Sequence, residues 1–270
     1  MKDPLLRVTD LKTYFTSKGS GLLSKEKIIR AVDKVSFDID HGEVLSLVGE
    51  SGCGKTTVGR TLTQLEKVTS GQALFKGQNI LSLTSAQFRP LRRDIQMIFQ
   101  DPFASLNPRL KIEQILGEPL FIHGLCRTWD AARTKIASIL DTVGMDPNIM
   151  KRFPYEFSGG QRQRIGIARV MILEPKLVIA DEAVSALDVS IQAQVLNLIK
   201  KLQRESGVSM LFISHDLGVV RHISDRVAVM FEGKIVEIGD KQKIFREPKH
   251  AYTRKLLDAI PKITVRKEVA

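Results

Sequence analysis

Residues 44–57 constrain this chain more than any other stretch. Val44-Leu45-Ser46-Leu47-Val48 is an apolar run, Gly49-Glu50-Ser51-Gly52-Cys53-Gly54-Lys55-Thr56 follows, and a helical pattern runs from Lys55 to about Leu65. A buried parallel strand feeding a helix reads in this way. The eight residues at the junction fit G-x-x-x-x-G-K-[ST], a pattern that requires that strand-to-helix context. With glycine at roughly 7% of positions, chance produces such a match on the order of once in a hundred chains of this length. The glycines let the backbone curl so that its N–H groups point inward, and the helix N-terminus adds positive potential for phosphate oxygens. Lys55 is therefore expected to hold the β- and γ-phosphates of a nucleotide and Thr56 to ligate Mg²⁺, with Glu50, Ser51, Gly52, Cys53, Gly54 and Thr57 completing the pocket. Cys53 sits beside Lys55 at a helix N-terminus, so its thiol pKa is expected to be lowered and its reactivity raised. It is read as a bystander filling a small-residue position.

The rest of the composition narrows the classes. A chain of 270 residues suits one large domain, or one domain with a subdomain. Its 43% hydrophobic and 26% charged residues are an ordinary globular balance, as is a mean hydropathy of −0.05. The longest stretch without a formal charge, Gly77 to Phe88, is 12 residues. A bilayer crossing takes roughly 18–20 apolar residues. Met1-Lys2-Asp3-Pro4 leads into a charged segment with no apolar signal core, so a cytosolic location is expected. Two cysteines, Cys53 and Cys126, make neither a disulfide framework nor a C-x-x-C metal pair. The net charge of +11 is dispersed along the chain and does not by itself select nucleic acid or lipid as a partner.

Period-two alternation predicts strands at Leu5 to Leu11 and at Val35 to Asp40, with a Gly/Ser/Lys loop from Ser17 to Lys27 between them. Ile95 to Phe99, Leu177 to Ala180 and Met210 to Ser214 are further candidate strands of the sheet that holds Val44–Val48. Between Val189 and Gln203 the apolar residues Ile191, Val195, Leu198, Ile199 and Leu202 form one face of a helix. Arg226 to Phe231 and Lys234 to Ile238 flank Glu232-Gly233 and read as a hairpin. The stretch from Leu110 to about Phe157 has helical patterning without a strand signal, which predicts an inserted helical subdomain.

Leu177-Val178-Ile179-Ala180 ends in two carboxylates, Asp181 and Glu182. A buried sheet avoids charge unless something pairs with it. Paired with the phosphate loop, Asp181 suits a direct or indirect role with Mg²⁺ at the strand end, and Glu182 could orient or deprotonate an attacking water. Phe157-Ser158-Gly159-Gly160-Gln161 adds a second candidate anion site: Ser158 can cap a helix continued by Ile165, Ala168 and Ile172, and two glycines let a phosphate approach its N–H groups. Both termini serve one nucleotide if two subunits pair head to tail.

With these residues in place, the chain resembles the ATP-binding cassette ATPases over nearly its whole length. Gln100 after Ile98-Phe99 looks like the Q-loop glutamine, Ser185-Ala186-Leu187-Asp188 like the D-loop, and His215 after Leu211-Phe212-Ile213-Ser214 like the switch histidine. The resemblance implies an α/β P-loop fold with a mainly parallel sheet core, an antiparallel β subdomain and the helical insert. It places the core with its β subdomain at about 1–109 and 158–240, the helical subdomain at about 110–157, and a C-terminal extension at about 241–270. It implies Mg²⁺–ATP as the ligand, Gln100 as a catalytic and metal-associated residue, His215 at the γ-phosphate, and Ser158–Gln161 acting on a nucleotide held by another subunit. Adenine stacks in this family on an aromatic residue early in the chain; Tyr14 is the better match and Phe15 the close alternative.

Finer likeness lies in Gln100-Asp101-Pro102-Phe103-Ala104-Ser105-Leu106-Asn107-Pro108-Arg109, in the run from Ser185 to Gln194, and in His250-Ala251-Tyr252-Thr253 with Ala259-Ile260-Pro261. These segments are similar to the ATPase subunits of bacterial oligopeptide, dipeptide and nickel importers, more to the second of their two unlike ATPases. Ala183 stands where proline is common and Phe157 where leucine is; neither change removes a catalytic group. Many relatives continue into a cysteine-rich tail, and no tail-borne iron–sulfur cluster is expected here. The implied partners are an unlike ATPase or a second copy of this chain, two integral membrane permeases at the cytoplasmic face of a bacterial membrane, and, indirectly, a solute-binding protein. Nucleic acid is not expected: the chain has neither the long coiled-coil insertion of repair-type relatives nor the tandem cassettes of translation-type ones. An exporter ATPase is the third reading, weakened by the peptide-importer motifs.

Overall fold

A computed structural model describes residues 3–17, 27–101 and 105–259. Its first half runs β1 (Leu6–Ser17), β2 (Lys27–Ile39), β3 (Val44–Val48), α1 (Lys55–Leu62), β4 (Ser70–Phe75), β5 (Gln78–Asn79), α2 (Ser85–Phe88), β6 (Ile95–Ile98), α3 (Ile112–Ile122) and α4 (Trp129–Thr142). The second runs α5 (Gly159–Met171), β7 (Leu177–Asp181), α6 (Val189–Ser206), β8 (Ser209–Ser214), α7 (Leu217–Ile223), β9 (Arg226–Phe231), β10 (Lys234–Asp240), α8 (Lys241–Arg246) and α9 (Ala251–Asp258). Residues 18–26 of the expected Gly/Ser/Lys loop, Pro102 to Ala104, and Ile260-Pro261 lie outside the described residues, while the expected loop ends, Ser17 and Lys27, belong to β1 and β2.

The apolar runs pair into a six-stranded sheet ordered β10-β9-β3-β8-β7-β6, parallel except for β10. Every residue of β3, β7 and β8 is buried, which is why these strands read as unbroken apolar runs rather than alternating ones. Alternation still sorts the side chains between two faces. Leu45, Leu47, Leu177, Ile179, Leu211 and Ile213 pack with Val58 and Leu62 of α1 and with the first sheet of the chain. Val44, Val178, Ala180, Met210 and Phe212 face the other way, onto α5, α6 and the helical insert. One core therefore runs from the central sheet into α3 and α4, through Ile112, Leu116, Ile136 and Leu140. Among the described residues, no helix is long and apolar enough to cross a membrane.

The second sheet is antiparallel, ordered β2-β1-β4-β5. Its strands outrun the sequence reading: β1 continues six residues past Leu11 and β2 begins eight before Val35. Register shifts near Asp10 (φ 48°) and Lys34 (φ 57°) are β-bulges that break the period-two pattern at those points. The β4–β5 hairpin, which periodicity left unassigned, turns on Lys76 (φ 50°) and Gly77 (φ 81°), the positive-φ pair of a type I′ turn. Helix α1 stops at Leu62 rather than near Leu65, because the chain enters the left-handed region at Gln64 (φ 56°). Helix α6 runs on to Ser206 and ends at Gly207 (φ 65°).

Candidate functional site

The phosphate loop leaves the C-terminal end of β3, and two of its glycines are fixed by crowding. A Cβ on Gly49 would lie 2.1 Å from the Met230 carbonyl oxygen, and one on Gly54 would lie 1.9 Å from that of Ala31. Both also hold positive φ. Gly54 is the N-cap of α1 and supplies no side-chain cap, so the first-turn N–H groups have no side-chain acceptor there. A helix start left open in this way is ready for an anion. Lys55, only 4% exposed, donates from Nζ to the carbonyl oxygens of Gly49 at 2.8 Å and Glu50 at 2.9 Å.

Cys53 corrects the sequence reading. Burial raises its thiol pKa above the ordinary value, and the opposing pull of Lys55, whose Nζ is 3.8 Å from Sγ, is the smaller effect. The thiol is thus mostly protonated at neutral pH and less reactive than a free one.

Strand β7 delivers the two carboxylates to different surroundings. Asp181, 3% exposed, accepts from the Thr56 hydroxyl at 2.8 Å. Burial raises its pKa, the Thr56 bond opposes that, and the Glu182 charge adds to the rise. Glu182 has a φ of 47°, a left-handed conformation that costs a non-glycine residue about 1–3 kcal/mol. Its N–H still donates to the Ile213 carbonyl at 3.0 Å, and its own carbonyl accepts from the Ser185 N–H and hydroxyl. That turn aims the carboxylate at two neighbours. One oxygen accepts from Gln100 Nε2 at 3.0 Å and the other lies 3.2 Å from His215 Nδ1.

Gln100, Glu182 and His215 follow β6, β7 and β8, and Lys55 and Thr56 follow β3. Four neighbouring parallel strands thus bring these side chains to one edge of the sheet, the edge where open α/β sheets bind ligands. Thr57 lies in the first turn of α1, while Glu50 and Ser51 are exposed on the loop.

Ser158–Gln161 is built differently. Ser158 caps α5 by accepting from the Gln161 N–H, and its own N–H donates to Gln161 Oε1 at 3.0 Å, a reciprocal capping box. Both residues are exposed. Gly160 is required by packing, since a Cβ there would meet Ile191 Cγ2 at 2.4 Å. Among the described residues, no hydrogen bond or ion pair joins Ser158–Gln161 to the Lys55–His215 group. A residue the sequence reading missed makes the connection at one remove: buried Gln163 donates to the Ala183 carbonyl at 2.6 Å, tying α5 to the segment after Glu182. Its only signal was a polar side chain in line with buried Ile167 and Val170 on the helix. Beyond it, Ser185, Ala186 and Asp188 are exposed, Leu187 is half-buried, and Val189 is 84% exposed.

The two candidate aromatics occupy opposite faces of β1. The Tyr14 hydroxyl donates to Asp33 Oδ1 at 2.7 Å, and the Arg30 guanidinium sits 5.7 Å from its ring centroid. Phe15 pairs across the strands with Ile29 and presents a ring 38% exposed.

A groove of about 590 Å³ opens between α3 and β6, lined in part by Phe88, Met97, Phe99, Ile115, Pro119 and Arg169. Phe99 and Arg169 also line a second cavity of about 390 Å³ that contains Gln100 and Asp181.

A family model described as ABC transporter matches residues 32–185, more than half of the chain. The chain belongs to the ABC transporter family. A second model, described as the C-terminal region of oligopeptide/dipeptide transporters, matches residues 236–270. This cassette is 56% identical over 260 residues to the glutathione import ATP-binding protein GsiA of Pectobacterium atrosepticum, covering 96% of the chain and 41% of that protein. It is 51% identical over 261 residues to the oligopeptide transport ATP-binding protein AppF of Bacillus subtilis, covering 96% and 79%. It thus spans about two-fifths of the length of the GsiA proteins. Among solved structures, a dimeric ATP-binding cassette in a post-hydrolysis state bound to ADP and Pi aligns at TM-score 0.77 and 26% identity, over 87% of this chain and 98% of that one. The cbiO1 protein of Clostridium perfringens, part of an ABC transporter complex, aligns at 0.77 and 26% over 96% and 97%. The cassette fold expected from the motifs is the fold observed.

Proposed function

We propose that this cassette is the ATP-hydrolysing subunit of a bacterial importer for peptides or related small solutes. The observation that carries the reading is the Glu182 carboxylate, held between Gln100 and His215 beside the Thr56–Asp181 pair. ATP phosphates lie in the Gly49–Thr56 loop against the open start of α1, with Lys55 keeping the Gly49 carbonyl as one partner and turning its two other donors to β- and γ-phosphate oxygens. The residues present fit Mg²⁺, a hard cation that takes a few protein oxygens and leaves other positions to phosphate and water. The Thr56 hydroxyl and Asp181 would hold it, with Gln100 alongside, and it would neutralise charge on the β- and γ-phosphates. Glu182 takes a proton from water as the water oxygen bonds to the γ-phosphorus. The bond from that phosphorus to the β,γ-bridging oxygen breaks, leaving ADP and phosphate. His215 donates to the γ-phosphate oxygens as they gain charge. For adenine, exposed Phe15 is the better platform, because Tyr14 is engaged by Asp33 and Arg30.

The second half of each site comes from another cassette, whose equivalent of the exposed Ser158–Gln161 turn meets the γ-phosphate across the interface. That cassette is an unlike ATPase or a second copy of this chain, and the D-loop, Ser185–Asp188, lies where the two meet. The helical subdomain, about 110–157, docks one of two membrane permeases at the cytoplasmic face, in the groove beside α3. Phe99 and Arg169 connect that groove to Gln100. The names of GsiA and AppF support import of peptide-like solutes. Co-purification with the second cassette and both permeases tests the reading. ATP turnover is expected to rise when a loaded solute-binding protein is added; stimulation by nucleic acid, with none from the membrane subunits, would overturn it.

A further inference from the structure

The peptide unit between Gly49 and Glu50 is gripped at both ends. Its carbonyl oxygen accepts from Lys55 Nζ at 2.8 Å, and its N–H donates to the phenolic oxygen of Tyr252 at 3.0 Å. The C=O and N–H of a trans peptide point in opposite directions. Holding the N–H toward Tyr252 therefore holds the carbonyl toward Lys55.

Tyr252 lies 202 residues away in sequence, on α9, and is 7% exposed. Several contacts fix it. Its ring lies 4.2 Å from that of Phe231, centroid to centroid. Phe231 directly precedes the Glu232-Gly233 turn, where the Gly233 N–H donates to the Cys53 carbonyl at 3.1 Å. At the start of α9, the Lys249 and His250 N–H groups donate to the two Glu237 carboxylate oxygens at 2.9 and 3.0 Å. The Tyr252 N–H donates to His250 Nδ1 at 3.2 Å, and Leu256 and Leu257 pack against the cluster around Val229 and Ile244. Burial raises the phenol pKa, so the hydroxyl is neutral at working pH. The contact links the importer-type C-terminal region to the nucleotide loop.

We infer that Tyr252 is a positioning residue for the phosphate loop: its hydroxyl sets the orientation of the Gly49–Glu50 peptide and, through it, the placement of Lys55 at the phosphates. The inference rests on the nucleotide reading above. Tyr252→Phe keeps the ring on Phe231 and removes only the hydroxyl. Leaving one N–H without its partner is expected to weaken ATP binding about tenfold. Saturating turnover should fall less than about twofold, because the group acts on binding rather than on the chemical step. The melting temperature should fall by no more than a few degrees, the cost of one unpartnered N–H in a chain of this size. ATP affinity in Tyr252→Phe within twofold of wild type would overturn the inference. So would a loss of affinity accompanied by a fall in melting temperature of more than about ten degrees, which would mark Tyr252 as packing alone. A folded wild-type chain that binds no ATP would overturn the nucleotide reading, and this inference with it.

Discussion

The two helix starts that meet phosphate in the proposed mechanism are built in opposite ways. At α1 the loop is bound from far along the chain: Thr56 to Asp181, Cys53 to Gly233, and Gly49 and Gly54 against Met230 and Ala31. At α5, Ser158 and Gln161 close a capping box and the Ser158 carbonyl accepts from the Arg162 N–H, all within about one turn, and both residues are exposed. Helix α1 begins without a side-chain cap, while α5 begins with a complete one. The first half is assembled by the tertiary structure of one molecule; the second is held ready by local structure and offered outward. In the proposed mechanism, a chain with this asymmetry carries the larger part of one site and a smaller part of another.

The largest expected effect breaks the assembled half at its chemistry. Glu182→Gln keeps both hydrogen-bonding neighbours but cannot take a proton, so single-site turnover should fall by about 10²–10⁴-fold. ATP binding, measured in parallel, should be retained; turnover within threefold of wild type would remove Glu182 from the role of base. Next comes Lys55→Ala, which deletes charge-assisted hydrogen bonds to phosphate and should weaken nucleotide affinity by about a hundredfold or more. Equilibrium titration with a fluorescent ATP analogue reads this directly. The smallest effect concerns Cys53. Because its thiol pKa is raised, the reactive thiolate is scarce at neutral pH and grows only as the medium becomes more alkaline than an ordinary thiol requires. Intact-mass labelling at neutral pH should therefore proceed more slowly than for an exposed cysteine, and Cys53→Ser should bind ATP as the wild type does. Rapid neutral-pH labelling would restore the electrostatic view of this loop.

The same contrast explains what could be read from the sequence. The phosphate loop, the carboxylate pair and the capped Ser158 turn depend on residue types at fixed local spacing, so each was legible before any fold was known. The central strands were legible because burial on both faces leaves only apolar residues. Strands β1 and β2 extend past their alternating segments because bulges at Asp10 and Lys34 interrupt the alternation. At Cys53 the sequence shows the neighbouring charge of Lys55 but not the burial that outweighs it. Gln163 and Tyr252 act through contacts 20 and 202 residues distant in sequence, which no local pattern encodes.

The central claim is that the nucleotide held by one chain is hydrolysed only when a second cassette supplies its signature turn. ATP binding and ATP turnover per chain, followed together through a dilution series from paired cassettes to monomers, test it most directly. Binding should persist into the monomer while turnover per chain collapses. Turnover that stays constant per chain in a sedimentation-verified monomer would contradict the account.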